Sequence, residues 1–361
     1  MARANRRKFL GSVGVLTGIG VAGCLGDDDD DADDGDDAAP ADDSDDSMDD
    51  TDDGDDGTDE DVEVLLQLPE GTIHYPMYEA AQDAGIFAAE GIDVTVEYPP
   101  FNAQLASITA GEVDTTMVSA HPYFNEYIMG EELVCFGFEG CLQSVNAMYC
   151  LAEREYESIP DVEGDMIAPW SWGSSTVQSF EAVIAEEYGL NLQEDFQTTT
   201  ADPPALLGML EGGDVDAIIN TSGFTITMEA QPDTFRNLGY LNGIWEDRTG
   251  YTLPLTGWFA YEEWYEDNED IAARLVRAGE AATEHWRENT VDILEEYGEP
   301  GGVQGEAEIE VVNDWADQGH VFRDTTDSGY LDAVWESLEV LYDHGFVDDV
   351  PDQDEVMRDP R

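Results

Sequence analysis

Alternating apolar and polar stretches begin at residue 62 and predict a repeated order of strand and helix. Residues 62–68 read V-E-V-L-L-Q-L, a short apolar run typical of a buried strand. A helix is predicted between Pro76 and Gly91, because proline favours the first turn and apolar residues then recur on one face. Residues 92–97 predict a second strand, and a further helix ends at Gly111 before a third strand. This order predicts a parallel sheet covered by helices.

One part of this pattern occurs twice. The segment L-x-x-I-x-x-G-x-V-D at residues 105–114 has a counterpart, L-x-x-L-x-x-G-x-V-D, at residues 207–216. In both copies a helix is predicted to stop at a glycine, where a left-handed cap costs least, and an aspartate then leads into an apolar strand. The repetition predicts two similar lobes, each with its own sheet.

The later part of the chain predicts a second lobe and a return to the first. A strand at 166–168, a polar turn and an amphipathic helix open the second lobe. Residues 252–261 predict an extended segment that returns to the first lobe, and two amphipathic helices follow. We expect the chain to cross between the lobes near Met148–Glu153 and again near Thr252–Tyr261. The predicted fold is therefore α/β and two-lobed, with two crossover segments.

The N-terminus has the pattern of an export signal. Arg6, Arg7 and Lys8 precede a short apolar stretch that ends in small residues before Cys24. These features are typical of a secretory signal peptide, and the arginine pair favours the twin-arginine route. The ending resembles a lipoprotein signal, which would make Cys24 the lipidated first residue of the mature protein. An uncleaved membrane anchor, the alternative, would need about 18 apolar residues, more than this stretch has.

These patterns divide the chain into six expected segments. They are a signal peptide at 1–24, a disordered Asp-rich tether at 25–61, the first part of lobe 1 at 62–150, lobe 2 at 151–251, the return to lobe 1 with the C-terminal helices at 252–350, and a tail at 351–361.

Composition adds a very large negative charge. The chain has 84 acidic and 13 basic residues, a formal net charge of −71, and Lys8 is its only lysine. Self-repulsion on this scale loosens a compact fold unless salt screens it, and at 1 M salt the Debye length falls to about 3 Å. We therefore expect a halophile's protein; the alternative is an acidic surface for a cationic partner. Nucleic acid is excluded as a partner, because phosphate binding needs a basic surface.

Three cysteines follow the signal, at Cys135, Cys141 and Cys150. Outside the cell one disulfide can form among them, and the sequence leaves all three pairings open. Their spacing matches no zinc motif, and we expect neither a metal nor a cofactor.

Several phrases in these elements resemble one protein family. Residues 81–94 (A-x-x-A-G-I-F-x-x-E-G-I-D-V) and 111–114 (G-E-V-D) are similar to the opening of substrate-binding proteins of the nitrate, sulfonate, taurine and thiamine-precursor group, the SsuA/THI5-like and NMT1-like family of ABC importers. Residues 159–168 and 213–217 resemble its second lobe, without the usual lysines. The resemblance covers nearly all of residues 62–350.

The resemblance implies a fold and a mode of action. It implies a two-lobed, periplasmic-binding-protein-like fold of type II that closes on a small molecule and delivers it to a membrane permease and its ATPase. We expect a monomer, held by its lipid anchor at the outer face of the cell membrane.

Polar and aromatic residues at the predicted carboxyl ends of the strands form the candidate ligand site, because open α/β sheets bind ligands there. In the first lobe they are His74, Tyr75, Ser119, His121, Tyr123 and Glu139. In the second lobe they are Trp170, Trp172, Ser174, Asn220 and Thr221, and Trp258 lies in the returning segment. Structural alternatives exist: the serines could cap helices, the histidines could hold structural hydrogen bonds, and Trp258 could belong to the core.

The same loops suggest a class of ligand. They contain no arginine or lysine, so an anion would depend on helix N-termini and hydroxyl groups. The aromatic residues instead favour stacking against a flat or cationic group. We therefore expect a heteroaromatic ligand such as a pyrimidine precursor of thiamine, with an oxyanion (nitrate, a sulfonate or taurine) as the alternative.

Transport has two alternatives of other classes, an enzyme and a structural surface protein. One branch of the resembling group is enzymatic and makes the thiamine pyrimidine from pyridoxal phosphate, which needs an active-site lysine. Residues 62–361 contain no lysine, which argues against an enzyme. A structural or adhesive surface protein would have no ligand cleft.

The lipoprotein interpretation predicts the effect of Cys24→Ala. Without this thiol the lipid cannot be attached, so the protein should become soluble or stay unprocessed. Immunoblots of membrane and soluble cell fractions check this, with Cys141→Ala as the control that keeps the signal intact. Unchanged membrane retention of Cys24→Ala would count against the lipid anchor.

Overall fold

The computed structural model describes residues 62–68, 71–139, 146–221, 223–253, 256–322 and 328–361. The export signal with Cys24, the Asp-rich tether and Cys141 lie outside the described residues. Among the described residues, no helix has both the length and the apolar character that crossing a membrane requires.

Four of the five strands of the first sheet lie where the sequence predicts them, and the strand at Leu133–Glu139 was not predicted. Its five strands are ordered β2-β1-β3-β10-β4, and β10 runs antiparallel to both of its neighbours. The strands are β1 (Val62–Gln67), β2 (Ile92–Glu97), β3 (Thr115–Ser119), β4 (Leu133–Glu139) and β10 (Thr256–Tyr261). The helices between them are α1 (His74–Asp83), α2 (Ile86–Ala89), α3 (Phe101–Thr109) and α4 (Ala120–Ile128).

The second sheet has the same mixed character. Its order is β7-β6-β8-β5-β9, with β5 antiparallel to β8 and β9. The strands are β5 (Ala147–Leu151), β6 (Met166–Pro169), β7 (Gln197–Thr198), β8 (Ala217–Asn220) and β9 (Phe235–Tyr240). The helices are α5 (Ser175–Tyr188), α6 (Pro203–Gly212), α7 (Gly223–Glu229) and α8 (Leu241–Thr249). We call the chain around the first sheet (62–139 and 256–297) lobe 1 and the chain around the second (147–249) lobe 2.

The predicted position of the first crossover is wrong. Met148 already lies in β5, which pairs with β8 on one side and β9 on the other. The chain therefore enters lobe 2 before Ala147, earlier than the expected Met148–Glu153. The apolar run Ala147–Leu151 is buried in the second sheet, and its sequence alone does not say which sheet it joins. The return is placed as expected, because β10 begins at Thr256 inside the first sheet.

The helices after β10 contact both lobes. They are α9 (Glu262–Asp267), α10 (Glu269–Tyr297), α11 (Glu306–Asp317), α12 (Ser328–Asp343) and α13 (Gln353–Val356), with a short 3-10 helix at Glu299–Gly301. The apolar face of α10 packs on α1, whereas α11 packs on α7 and α12 packs on α5. The long helix α10 has a kink at Asn289, where φ is −133°.

Cys135 in β4 and Cys150 in β5 are both buried free thiols. The two belong to different sheets and are not joined, so this pairing of the three is wrong. Burial raises the pKa of the Cys135 thiol to about 12.

The repeated G-x-V-D phrase makes the same contacts in both lobes. Gly111 and Gly213 adopt left-handed conformations, with φ of 67° and 73°. Asp114 accepts a hydrogen bond from the backbone N–H of Leu65 at 2.9 Å, and Asp216 accepts one from the backbone N–H of Met166 at 3.1 Å. In each lobe, therefore, the glycine ends the helix and the aspartate fixes the neighbouring strand.

The left-handed caps predict a position-dependent effect of alanine. Gly111→Ala and Gly213→Ala should each lower the free energy of unfolding by about 1–2 kcal/mol, because a Cβ atom is strained at positive φ. Gly208, inside α6, has open space around its Cβ position, and Gly208→Ala should be neutral or stabilise by up to about 1 kcal/mol. Urea denaturation at high salt measures all three; equal effects would contradict the cap argument.

Candidate functional site

The carboxyl ends of β3 and β4 meet at Thr256, the first residue of β10. Thr256 lies opposite Ser119 on one side and opposite Glu139 on the other. Its hydroxyl is 3.3 Å from Nε2 of His74, the first residue of α1. The strand ends and the start of α1 are thus joined through one buried threonine. The side chains of Ser119 and Glu139 lie outside the described part of the structure.

His74 is held as a neutral imidazole. It is 1% exposed, with Nδ1 3.3 Å from the hydroxyl of Thr72 and the edge of its ring against Phe322 at 5.2 Å. Burial lowers its pKa to about 4. The contacts of His74 therefore match the alternative in which this histidine holds structural hydrogen bonds.

Asparagines organise the matching edge of lobe 2. Asn220 ends β8 and lies opposite Ala147 of β5; its side chain accepts the N–H of Thr221 at 3.0 Å and donates to the carbonyl of Pro203 at 3.2 Å. Asn146, just before β5, donates to the carbonyl of Thr176 at 2.6 Å. These bonds fix the loop after β8 and the first turn of α5 at the same edge of the sheet.

The turn before α5 places the two predicted tryptophans beside a helix N-terminus. Ser174 occupies the N-cap position without a capping hydrogen bond from its side chain, and its hydroxyl instead pairs with that of Thr176 at 2.8 Å. Trp172 accepts a hydrogen bond at its carbonyl from Gln178, and its ring packs at the margin of the core. Trp170 packs on the smaller apolar cluster of lobe 2.

Two buried polar atoms at this edge have no hydrogen-bond partner among the described residues. They are the indole N–H of Trp170 and the amide oxygen of Asn146. A buried polar group without a partner costs about 1–3 kcal/mol. One orphaned donor and one orphaned acceptor flank the end of β8, where a small molecule could satisfy both.

His121 connects three helices from both lobes. It lies in α4, with Nδ1 2.6 Å from the hydroxyl of Ser179 in α5 and Nε2 2.9 Å from that of Ser337 in α12. Ser337 donates its own proton to the carbonyl of Val334 at 2.6 Å. Ser337 can therefore only accept from Nε2–H, and Nδ1 of a neutral ring accepts the hydroxyl proton of Ser179.

Both ring nitrogens of His121 are occupied, so it is not placed to bind a ligand directly. This differs from the prediction, which counted His121 among the ligand-site residues. Its imidazole instead ties lobe 1 to lobe 2. Burial lowers its pKa to about 4, which keeps the ring uncharged at neutral pH.

Two of the candidate residues pack inside lobe 1. Trp258 is 2% exposed and packs beside Phe136, so it belongs to the core. Tyr123 is fully buried and stacks on Phe259, with ring centroids 4.5 Å apart. The ring of Tyr75 lies tilted against that of Tyr98, the residue after β2, with ring centroids 4.6 Å apart. For an aromatic residue near a strand end, the sequence alone does not say whether the side chain faces the core or the ligand site.

Sequence reasoning missed several residues that the structure brings to the site. They are Asn146, Thr176, Ser179, Thr256 and Ser337. Thr256 had a usable signal, because it is a polar residue at the start of an otherwise apolar strand. Ser179 and Ser337 had none, because each is one small polar residue on an amphipathic helix.

The basic residues lie mostly in ion pairs elsewhere. Arg154 pairs with Asp216 at 2.8 Å, Arg277 with Glu90 at 2.8 Å and Arg358 with Glu262 at 2.6 Å. No group of three or more His, Cys, Asp or Glu side chains within the described ranges is arranged to hold a metal ion.

Comparisons with known proteins give the family and the fold of this chain. A family model described as NMT1/THI5 like matches residues 72–291. The periplasmic aliphatic sulphonate-binding protein SsuA from Escherichia coli is similar with a TM-score of 0.65 at 17% identity, covering 84% of this chain and 93% of that one. The periplasmic nitrate-binding protein NrtA from Synechocystis PCC 6803 has a TM-score of 0.61 at 15% identity, covering 82% and 86%. No curated protein matches the sequence.

A third solved structure extends the comparison. A putative periplasmic sulfonate-binding protein of an ABC transporter from Methylobacillus flagellatus KT has a TM-score of 0.66 at 15% identity, covering 83% of this chain and 92% of that one. At these identities the similarity concerns the fold alone. It confirms the predicted two-lobed periplasmic-binding-protein architecture.

The buried imidazole of His121 predicts a pH dependence of stability. The unfolded chain takes up this proton near pH 6.5, while the folded ring resists protonation until about pH 4, so acid favours the unfolded state across that window. Each such histidine contributes a slope of up to about 1.4 kcal/mol per pH unit. His121→Gln should therefore lose less stability than wild type between pH 6.5 and 4.

Urea denaturation at a series of pH values measures this difference between the two proteins. Carboxylates that titrate in the same range affect the stability of wild type and variant alike, so the difference between the two proteins isolates the contribution of His121. Parallel curves for wild type and variant would contradict the buried neutral imidazole.

Proposed function

Since this chain belongs to the NMT1/THI5-like family, we propose that it is the solute-binding protein of an ABC-type importer. The observation that carries the proposal is a polar strand end in each lobe, Thr256 with His74 in lobe 1 and Asn220 near Asn146 in lobe 2. His121 of α4 contacts α5 of lobe 2 as well. Ligands of open α/β sheets bind at such strand ends.

The proposed mechanism is hinge closure. The chain passes between the sheets after β4 and again before β10, so the lobes can rotate about these two connections. A ligand that touches both edges binds the closed state better than the open one and shifts the population by that difference. A permease with its ATPase would then receive the ligand from the closed protein.

For the ligand we propose a neutral or cationic heteroaromatic molecule, such as a pyrimidine precursor of thiamine. Trp170 and Trp172 supply flat apolar surface beside the start of α5, and such surfaces stack on heteroaromatic rings. The orphaned N–H of Trp170 and amide oxygen of Asn146 suit a ring that carries both an acceptor and a donor.

An oxyanion is the second candidate ligand, and it has its own support. The solved structures similar in fold include proteins named for sulfonate and nitrate binding. In this chain the hydroxyls of Ser174 and Thr176 lie at the N-terminus of α5, a helix of 14 residues. Backbone N–H groups and the helix dipole at such an end favour an anion.

We propose binding without catalysis. The enzyme branch needs a lysine to hold an aldehyde, and residues 62–361 have none. We further propose that the protein is exported, anchored through Cys24 and held away from the membrane by the Asp-rich residues 25–61. There it would act as a monomer. A structural surface protein, by contrast, would not become more compact when a ligand is added.

Calorimetric titration at high salt with the thiamine pyrimidine, taurine and nitrate tests the role and the ligand class. We expect the pyrimidine to bind and small-angle scattering to show compaction. Trp170→Phe keeps the ring but removes the N–H, and it should weaken binding about tenfold, the cost of one hydrogen bond. Trp264→Phe, on the far side of lobe 1 beside Phe136, is the matched control and should leave binding unchanged.

Each alternative has a distinct outcome in the same titration. Tight taurine or nitrate binding without pyrimidine binding would replace the heteroaromatic ligand by the oxyanion. If a compound binds and small-angle scattering shows no compaction, hinge closure itself is contradicted.

A further inference from the structure

We propose that a backbone contact between Gly223 and Gly302 sets how closely the two lobes approach. This inference rests on the proposed hinge closure and identifies the residues that limit it. Gly223 begins α7 of lobe 2, and Gly302 follows the short 3-10 helix after α10. The two residues are distant in sequence; Gly223 belongs to lobe 2, and Gly302 follows Gly301, which packs against α1 of lobe 1.

The contact is too close for a Cβ atom on either residue unless the backbone shifts by a few tenths of an ångström. A Cβ atom on Gly223 would lie 3.2 Å from both Cα and O of Gly302, and a Cβ atom on Gly302 would lie 3.1 Å from Cα of Gly223. Both distances are shorter than ordinary van der Waals contact between carbon atoms, about 3.5–4.0 Å. The atoms involved are backbone, which cannot rotate away as a side chain can.

The contact lies beside the candidate site. Gly223 is three residues beyond Asn220 at the end of β8. Gly301, next to Gly302, packs so tightly on lobe 1 that its Cβ would lie 2.6 Å from Pro76 in the first turn of α1. The approach of Gly223 to Gly302 therefore brings the end of β8 towards the start of α1, where His74 lies.

Polar and aromatic contacts reinforce the same junction. Thr227, one turn after Gly223, donates its hydroxyl to Oε1 of Glu308 in α11 at 2.8 Å. The other oxygen of Glu308 accepts the backbone N–H of Gln304, which fixes the loop that carries Gly302. We call Gly223 and Thr227 with Gly302 and Glu308 the interlobe seam. Tyr240 also meets Trp315 of α11 edge to face at 6.0 Å.

A methyl group on Gly223 would act on the seam rather than on its helix. Gly302 has φ of +84°, so alanine there would be strained for local reasons as well. Gly223 does not have a positive φ, so its own backbone accepts alanine. Gly223→Ala should therefore hold the lobes apart by a few tenths of an ångström while leaving α7 intact.

Crosslinking of the seam tests the proposal without any ligand. Thr227→Cys and Glu308→Cys place a thiol on each side, and a short bismaleimide joins them whenever the lobes close. Peptide mapping by mass spectrometry identifies this link among products of the native cysteines. Adding Gly223→Ala should slow the link about tenfold, the change that 1.4 kcal/mol produces. Adding Gly208→Ala, the matched glycine of α6, should leave the rate unchanged.

Three results would overturn the proposal. They are no crosslink in the parent pair, the same rate with and without Gly223→Ala, and equal slowing by Gly208→Ala. Thermal melting followed by circular dichroism accompanies each variant, and the melting temperature of Gly223→Ala should stay near that of the parent. A slower link that merely follows a lower melting temperature would show unfolding and would also count against the seam.

A binding measurement on the same variants separates this inference from the proposed function. Whichever of the thiamine pyrimidine and taurine binds wild type should bind Gly223→Ala about tenfold more weakly, and Gly208→Ala normally. If neither compound binds, the crosslinking result still decides the seam. If one binds equally well to both variants, the seam does not limit closure on that ligand.

Discussion

The hydrogen bonds of one buried imidazole join the two halves of this molecule, and they depend on its charge. His121 contacts Ser179 of lobe 2 through Nδ1 and Ser337 of α12 through Nε2. Because the hydroxyl of Ser337 donates elsewhere, Nε2 carries the proton of the neutral ring, and Nδ1 faces the hydroxyl of Ser179. Protonation would place a second N–H opposite Ser179 and a charge between packed helices, which burial opposes. The contact between α4 and α5 is therefore tied to the uncharged state of this side chain.

Because the chain carries a large negative charge, uncharged contacts between the lobes have the advantage that they add no further repulsion. With 84 acidic residues and a net charge of −71, any approach of two lobes is opposed by repulsion unless salt screens it. The arginines pair with carboxylates mostly within each part, as Arg154 does with Asp216 and Arg277 with Glu90. Between the lobes, the neutral imidazole of His121 and the glycine backbone of the seam add no charge to be screened, and Glu308 is the charged member of the seam.

The sequence predicted the parts of the fold that depend on local chemistry. Gly111 and Gly213 mark helix ends because only glycine accepts positive φ without strain, and the apolar runs mark buried strands. The first crossover was misplaced, since the apolar run from Ala147 suits either sheet and only long-range pairing with β8 decides. In the candidate site, Asn220 and the Ser174 turn follow strands in the structure, as the sequence placed them, and their role in binding stays a prediction. Trp258 and Tyr123 were wrongly included, and Ser179 and Ser337 were missed, because their roles depend on which distant helix they face.

The two interlobe contacts together constrain what the cleft can hold. His121 with Ser179 fixes the distance between α4 and α5, while Gly223 with Gly302 fixes that between α7 and the segment after α10. In the proposed hinge closure, both contacts belong to the same end point of the rotation. A ligand larger than the space left at that point would prevent both, and one that leaves Trp170 and Asn146 unpaired would gain little from closing. Selectivity would then come from the fixed end point of closure as well as from the groups that line the cleft.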